Sequence, residues 1–333
     1  MTRQVASSTV TQNDAPVSRR VEIRKAATVL TIALLMAASF VAAYTVALGR
    51  PSPRHLPIGV VGEPPQRIVD ALSARSAEFD LRDYPSREAA VEAVNQQKIT
   101  AVIDGSATPP QLLVSSVSDP SSARALTALD QSPPGHYLIP IVDLHPLPTA
   151  DPAGLATFYL VIAATLLGFV TMFQLRANVK TLTTRRWLAC VGVLAVVGGA
   201  VLAAVAGPLL GALGAPFPQL WLLVSLQIAI AALFNSTMLV LMHRWAIIPT
   251  WAVFILLGNT SSGGAVSASL LPQPFAFLNH ALPSGATVSA IHAASYFPDH
   301  QRTLPFVVLG GWLAATVAAF LVLSHKLHRS PAE

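Results

Sequence analysis

Charge is the scarcest commodity in this chain of 333 residues. Only 11% are Asp, Glu, Lys or Arg, against 53% hydrophobic residues, where soluble domains carry about 25% charged residues. Mean hydropathy is +0.57, which points to an integral membrane protein and away from a soluble one. A single cysteine, Cys190, lies in an apolar run, so one chain holds neither a disulfide framework nor a cysteine-based zinc site. No G-x-x-x-x-G-K-[ST] occurs, which excludes a P-loop ATPase in this chain, and neither H-E-x-x-H nor G-x-S-x-G is present. No acid–base or nucleophile constellation lies near the apolar runs, so an enzyme is not expected, and nothing in the chain asks for a cofactor. Between Pro152 and Pro298 there is no Asp or Glu at all. Ion-driven carriers commonly rely on an intramembrane carboxylate, and here only Asp151, at the edge, is available.

What is present is a series of long apolar runs. Residues 26–48 make the first. At about 1.5 Å rise per residue it reaches roughly 35 Å, enough for a hydrocarbon core of about 30 Å. Arg19, Arg20, Arg24 and Lys25 precede it. Its length exceeds the roughly 7–15 apolar residues of a cleaved signal peptide, so it reads as a signal anchor behind a cytoplasmic basic segment, 1–25. Further spans are expected at 153–175, 187–213, 220–242 and 304–324. A shorter run at 245–259, interrupted by Pro249, is expected as the sixth. With six spans, the connections on one side collect Arg176, Lys180, Arg185, Arg186, Arg244, Lys326 and Arg329. The later connections on the other side hold only Arg302. This is the positive-inside pattern, which puts both termini, including the tail 326–333, in the cytoplasm. It also accounts for the basic balance through topology and anionic-lipid contact rather than nucleic acid.

Residues 49–152 differ. Arg50–Ala150 contains 11 of the 16 acidic residues. LPIGVVG, FDLRDYP, ITAVIDG and QLLVSSV read as strands, EPPQRIVDALSAR, SREAAVEAVNQQ and SARALTALDQ as helices, and HYLIPIVDLHPL as the extended return. Strands alternating with helices predict a small α/β domain with partly parallel pairing, here extracytoplasmic. GVVGEPP lacks nucleotide-fingerprint spacing and reads as a strand-to-helix turn. Glu78, Asp80 and Asp83 read as a solvated strand edge.

The spans carry uncharged polar residues. Gln227 and Asn235, eight apart, fall near one helix face. With Asn259 they are candidates for a substrate path, against the alternative of interhelical hydrogen bonds. Gly207 and Gly211 form a G-x-x-x-G pair expected to permit close helix approach. His280, His292 and His300 have no metal-ligand spacing. The stretch LLGNTSSGGAVSASLLP has no lysine to meet a phosphate, and the uncharged apolar sequence after it is wrong for a solvated linker. Gly263, Gly264, Pro272, Pro283 and Gly285 punctuate residues 260–297. Ser284 is expected to cap a helix ending near Tyr296. Non-helical backbone at membrane depth needs protein or a water-filled cavity around it, so 260–297 reads as a re-entrant hairpin dipping from the outer face.

Two stretches carry a resemblance. They are VDLHPLPTADPAGLATFYLVIAATLLG, entering the second span, and LLGNTSSGGAVSASLLPQPFAFLNHALPSGATVSAIHAASYF, before the last. Together with the order of elements, the chain resembles the ABC-2 superfamily of exporter permeases, and within it the YhgE/Pip (phage-infection-protein) and SNG-like branch. The resemblance implies a dimeric membrane subunit, homodimeric or heterodimeric, in the cytoplasmic membrane, acting in export or envelope maintenance. It also implies a separate cytoplasmic ATPase docking on Arg176, Lys180, Arg185 and Arg186, although members of this branch often lack an evident ATPase. The expected architecture is therefore an α-helical polytopic membrane protein, six transmembrane helices plus an outer re-entrant hairpin, with an α/β domain inserted between the first two helices. The membrane domain covers 153–325. The alternative is a non-transporting envelope scaffold or surface receptor that binds partners through its outer domain.

Overall fold

The structure is a computed structural model that describes residues 16–49, 51–130, 139–179 and 181–329. Two compact units are present, residues 1–43 and 44–333. The first consists of most of helix α1 (Pro16–Leu48), which carries a 28-residue apolar stretch, Val21–Leu48.

The second unit opens with the sheet domain. Its elements are β1 (Leu56–Val61), α2 (Gln66–Ser73), β2 (Phe79–Tyr84), α3 (Arg87–Asn95), β3 (Ala101–Asp104), β4 (Gln111–Val114), α4 (Pro120–Asp130) and β5 (Ile141–Asp143). The strand order is β2-β1-β3-β4-β5, parallel except for the β3–β4 pair. Alternation along the strands explains the layers. Ile58, Ala101, Ile103 and Val114 face a cluster closed by α2 and α4 through Ile68, Leu72, Ala123 and Leu126. Val61, Val102 and Leu113 face the other way, onto Ala90, Ala93 and Val94 of α3. β1, covered on both faces, is apolar almost throughout, as an inner parallel strand must be. Ser86 caps α3 by accepting a hydrogen bond from the Ala89 amide at 3.2 Å. Glu78 and Asp80 pair with Arg75 and Arg82 as surface ion pairs.

The remainder is an apolar helical bundle: α5 (Ala156–Asn178), α6 (Thr184–Ala204), α7 (Phe217–Met242), α8 (Ile247–Trp251), α9 (Phe275–Ala281), α10 (Pro283–Tyr296) and α11 (Leu304–Arg329). Among the described residues, five helical stretches are long and apolar enough to cross a membrane: Val21–Leu48, Ala156–Asn178, Thr184–Leu209, Phe217–Asn259 and Leu304–Lys326. α7 is the hub. It buries 13 residues, from Leu220 to Leu239, against 5 in α6, so α7 is enclosed while α6 is covered on a narrower face. Two glycines make the enclosure possible. A Cβ on Gly168 of α5 would stand 2.6 Å from Ile228 O, and one on Gly199 of α6 would stand 2.1 Å from Ser225 Oγ.

The 43-residue stretch Phe217–Asn259 is not straight. Fifteen residues of helix span about 22 Å, yet Thr250 Oγ1 donates to Asn235 Oδ1 at 3.1 Å, and the rings of Phe234 and Phe254 are 5.5 Å apart. The chain reverses through a short 3-10 turn, His243–Ala246, where His243 has φ 52°. The arm that returns along α7, Ile247 to Asn259, is helical, with a wider π turn from Ala252 on. The separate runs expected at 220–242 and 245–259 are thus two arms of one continuous helical stretch. The run expected at 187–213 is helical only to Leu209. Pro208 falls in a π turn, Val205–Leu209, because proline lacks the amide for the regular ladder, and Gly211 at φ 64° terminates it.

One further expectation is not met within this chain, and another needs correction. Among the described residues of this chain, no helix approaches closely at Gly207 or Gly211. A Cβ on Gly207 would find nothing nearer than 3.5 Å, and one on Gly211 nothing within 4 Å; the contact sites are Gly168 and Gly199. Ser284 does not cap α10. The helix already begins at Pro283, at its first position, where the missing amide costs nothing, and Ser284 lies inside the first turn.

Candidate functional site

A cavity of about 360 Å³ lies where the sheet domain meets the start of α5, the glycine-rich stretch, α10 and the start of α11. Its geometry grows from a few local rules. Asp119 precedes Pro120 at the first position of α4 and caps that helix, accepting from the Ser122 amide at 2.7 Å and the Ser122 hydroxyl at 2.5 Å. The same carboxylate also accepts hydrogen bonds from Ser267 Oγ and, at 3.0 Å, from Ser269 Oγ. The small polar residues of the glycine-rich stretch are therefore the seat of the sheet domain. Asp119 is 8% exposed, and four donors satisfy it.

Asp151, also 8% exposed, accepts the Leu155 and Ala156 amides, each at 2.9 Å, and holds the start of α5. It is engaged as a cap rather than free as a relay. Tyr296 lines the cavity; burial first, and then the Asp151 charge, push its pKa up to about 12, so it stays a neutral phenol. His292 packs edge-on against Tyr296, with ring centroids 5.1 Å apart. Burial lowers its pKa, opposed by a hydrogen bond to the Val117 backbone and by the Asp119 charge. Its neutral form is the favoured one.

The far wall is fixed by Arg302, whose Nη2 donates to Gln97 O at 2.6 Å. Gln97 has φ 55° and lies just past the end of α3, where its amide and that of Lys98 return to the last helical carbonyls. Arg302 thus binds a helix C-terminus, the end that attracts cations. His300 meets Glu92 of the same helix at 3.1 Å, and Gln96 and His300 hold the Glu92 pKa below the usual carboxylate range, Gln96 more strongly.

The expected site residues divide into groups. Gln227 and Asn235 are fully buried and paired. Gln227 Nε2 donates to Thr165 Oγ1 of α5 at 2.7 Å, and its Oε1 accepts from Thr287 Oγ1 of α10 at 2.8 Å. Asn235 Nδ2 donates to Phe169 O at 3.1 Å, and Thr250 donates to its Oδ1. Both act as interhelical ties. Asn259 is buried at the end of the return arm, with its Oδ1 unpartnered, as are the hydroxyls of the nearby Ser261 and Ser284.

Gly263, Gly264 and Gly285 line the cavity and Pro283 is buried beside it, whereas Pro272 stands apart from it. Gly263 has φ 76°, and a Cβ on Gly264 would strike Phe158 at 2.9 Å. One on Gly285 would lie 2.1 Å from Asn279 O. Asn279 is the pin here, its Nδ2 donating to Ser261 O at 2.8 Å. Arg176, Arg185 and Arg186 are exposed at the other end of the bundle, and Lys180 lies outside the described residues. Sequence reasoning missed Asp119, Ser267, Ser269 and Asn279. Only the D-P-S-S capping pattern was there to find the first of them.

No family model matches the chain, no curated protein matches it, and no solved structure matches it.

Proposed function

We propose that the chain is an ABC-2-type permease-like membrane subunit that exports an amphipathic or lipid-like substrate or acts in envelope maintenance. The observation that supports this best is the lining of the 360 Å³ cavity. Asp119, Asn279 and Arg302 bring polar and charged atoms to the lining, and Leu304 and Val308, at the start of α11, bring apolar ones. That combination suits a molecule with a polar head and an apolar body. In this reading both termini are cytoplasmic, the sheet domain is outside, and the return arm Ile247 to Asn259 serves as the sixth pass. Residues 260–297 form the outer re-entrant segment in the cytoplasmic membrane. The basic residues at one end of the bundle support that orientation. Energy comes from a separate ATPase docked at the basic end.

The paired state of Gln227 and Asn235 favours a second reading. Their side chains are taken up by neighbouring helices, which suits a scaffold or surface receptor binding partners through the sheet domain.

The deciding experiment is purification of the intact protein in mild detergent, with its size measured and its co-purifying proteins counted by mass spectrometry. A stoichiometric P-loop ATPase is expected for the permease. A homodimer without one sinks the ATPase-driven reading and favours the receptor.

A further inference from the structure

A second cavity, of about 300 Å³, lies at the far end of α5 and α11 from the first. Thr157 lines one cavity and Arg176 the other, and their separation along α5 is about 28 Å of helix. The end of α5, the start of α6, the end of α7 and the end of α11 converge here.

Among the described residues, Arg176 is the one Arg, Lys, Asp or Glu in its lining. No Asp or Glu occurs anywhere in α5, α6, α7 or α11, or in the α5–α6 connection, and none of the ion pairs among the described residues includes Arg176. Among the described residues the guanidinium therefore has no ion-pair partner. Its neighbours in the lining are donors: Thr184 in the first turn of α6, His243 at the reversal, and Ser324 of α11. That first turn has no acidic residue and carries Arg185 and Arg186, so its amides add positive potential. Leu239 and Phe320 form an apolar floor. A cation with hydroxyl and ring donors above apolar walls matches a phosphate ester that carries hydrocarbon.

We propose that this cavity binds a phosphate anion, and that its source is the headgroup of an anionic phospholipid. The inference rests on the chain being a membrane protein. If Arg176 only offset the dipole at the end of α5, it would be indifferent to headgroup.

The test uses the full-length protein reconstituted into vesicles of phosphatidylcholine with and without phosphatidylglycerol, then extracted for native mass spectrometry of retained lipid. Phosphatidylglycerol is expected to be retained in preference to phosphatidylcholine. Arg176→Ala is expected to weaken that retention about fivefold, the factor associated with one cation near an anionic headgroup. Arg176→Lys keeps the charge and most of the preference. Arg244→Ala, at the same end but outside the lining, behaves as the parent, and inorganic phosphate or glycerol 3-phosphate does not displace the lipid. Equal retention by Arg176→Ala and the parent overturns the proposal. Equal losses in the Arg176 and Arg244 variants do so too, by reducing the effect to general surface charge. Displacement by soluble phosphate overturns the lipid source. Protein that fails to float with vesicles of either composition refutes the membrane reading itself, a result distinct from insertion without preference.

Discussion

Asp119 and Ser269 are 150 residues apart in sequence and 3.0 Å apart in space. The pair joins the cap of α4 to the glycine-rich stretch, and Ser267 joins the same carboxylate. Removing the carboxylate takes the acceptor from three hydroxyls, those of Ser122, Ser267 and Ser269, and uncaps a helix. Asp119→Ala is expected to destabilise the protein by about 1–3 kcal/mol. Hydrogen exchange should accelerate in residues 262–270 as well as in α4. Faster exchange confined to α4 would show that the serines do not depend on the aspartate.

Gln227 ties three helices through Thr165 and Thr287. Gln227→Leu leaves both threonine hydroxyls without their partner and is expected to lower stability by about 0.6–2 kcal/mol. The triple change Gln227→Leu, Thr165→Val, Thr287→Val removes the stranded groups as well, so it should recover part of the loss. Thermal unfolding of the purified variants in one detergent measures this. A triple variant that costs the sum of the single changes would mean the three residues act independently.

How much of this was legible follows from what each residue answers to. The strands were readable because a sheet covered on both faces demands near-continuous apolar runs such as LPIGVV, bounded by glycine and proline. The long helices were readable because bulk hydropathy needs no partner to show itself. The reversal at His243 was only half visible. Two runs broken near Arg244 were apparent, but the arm's return along α7 depends on Thr250 meeting Asn235, a tertiary fact. The G-x-x-x-G spacing likewise names no partner. Spacing marks where a close approach is permitted, and Gly211 is spent on a positive φ instead. The contacts that place Asp119 and Arg302, with Ser267, Ser269 and Gln97, were not legible because those partners lie far off in sequence.

The glycines give a graded test of the packing. Gly199 touches Ser225, whereas a Cβ on Gly192, in the same helix, would find nothing within 4 Å. Gly199→Ala is expected to push α6 from α7 and to cost about 1–3 kcal/mol, the usual penalty of overpacking. Gly192→Ala should be neutral or stabilise by up to about 1 kcal/mol, because it reduces the freedom of the unfolded chain. Thermal midpoints of the two variants decide it, and equal shifts would count against α6 lying on α7 through Gly199.

The pH dependence of stability has one contribution with a definite sign in the range below neutrality. The folded pKa of His292 is lowered from 6.5, first by burial, while the Val117 backbone and the Asp119 charge pull the other way. Above about pH 6.5 the imidazole is neutral in both folded and unfolded chains, and it contributes nothing to the pH dependence. As pH falls below that value, the unfolded chain takes up a proton that the folded one resists. Stability therefore declines until the folded pKa is passed. Each tenfold reduction in the folded state's proton affinity adds about 1.4 kcal/mol to that decline. Glu88 and Glu92, whose folded pKa values are depressed, lose their contributions only at lower pH, as it falls below their ordinary value of 4.5. The interval from about pH 6.5 to 5 thus separates His292 from them. His292→Gln is expected to flatten the thermal midpoint against pH across that interval and to leave the acid limb in place. An unchanged slope would mean that the imidazole reaches solvent freely and that the cavity is open to water at His292.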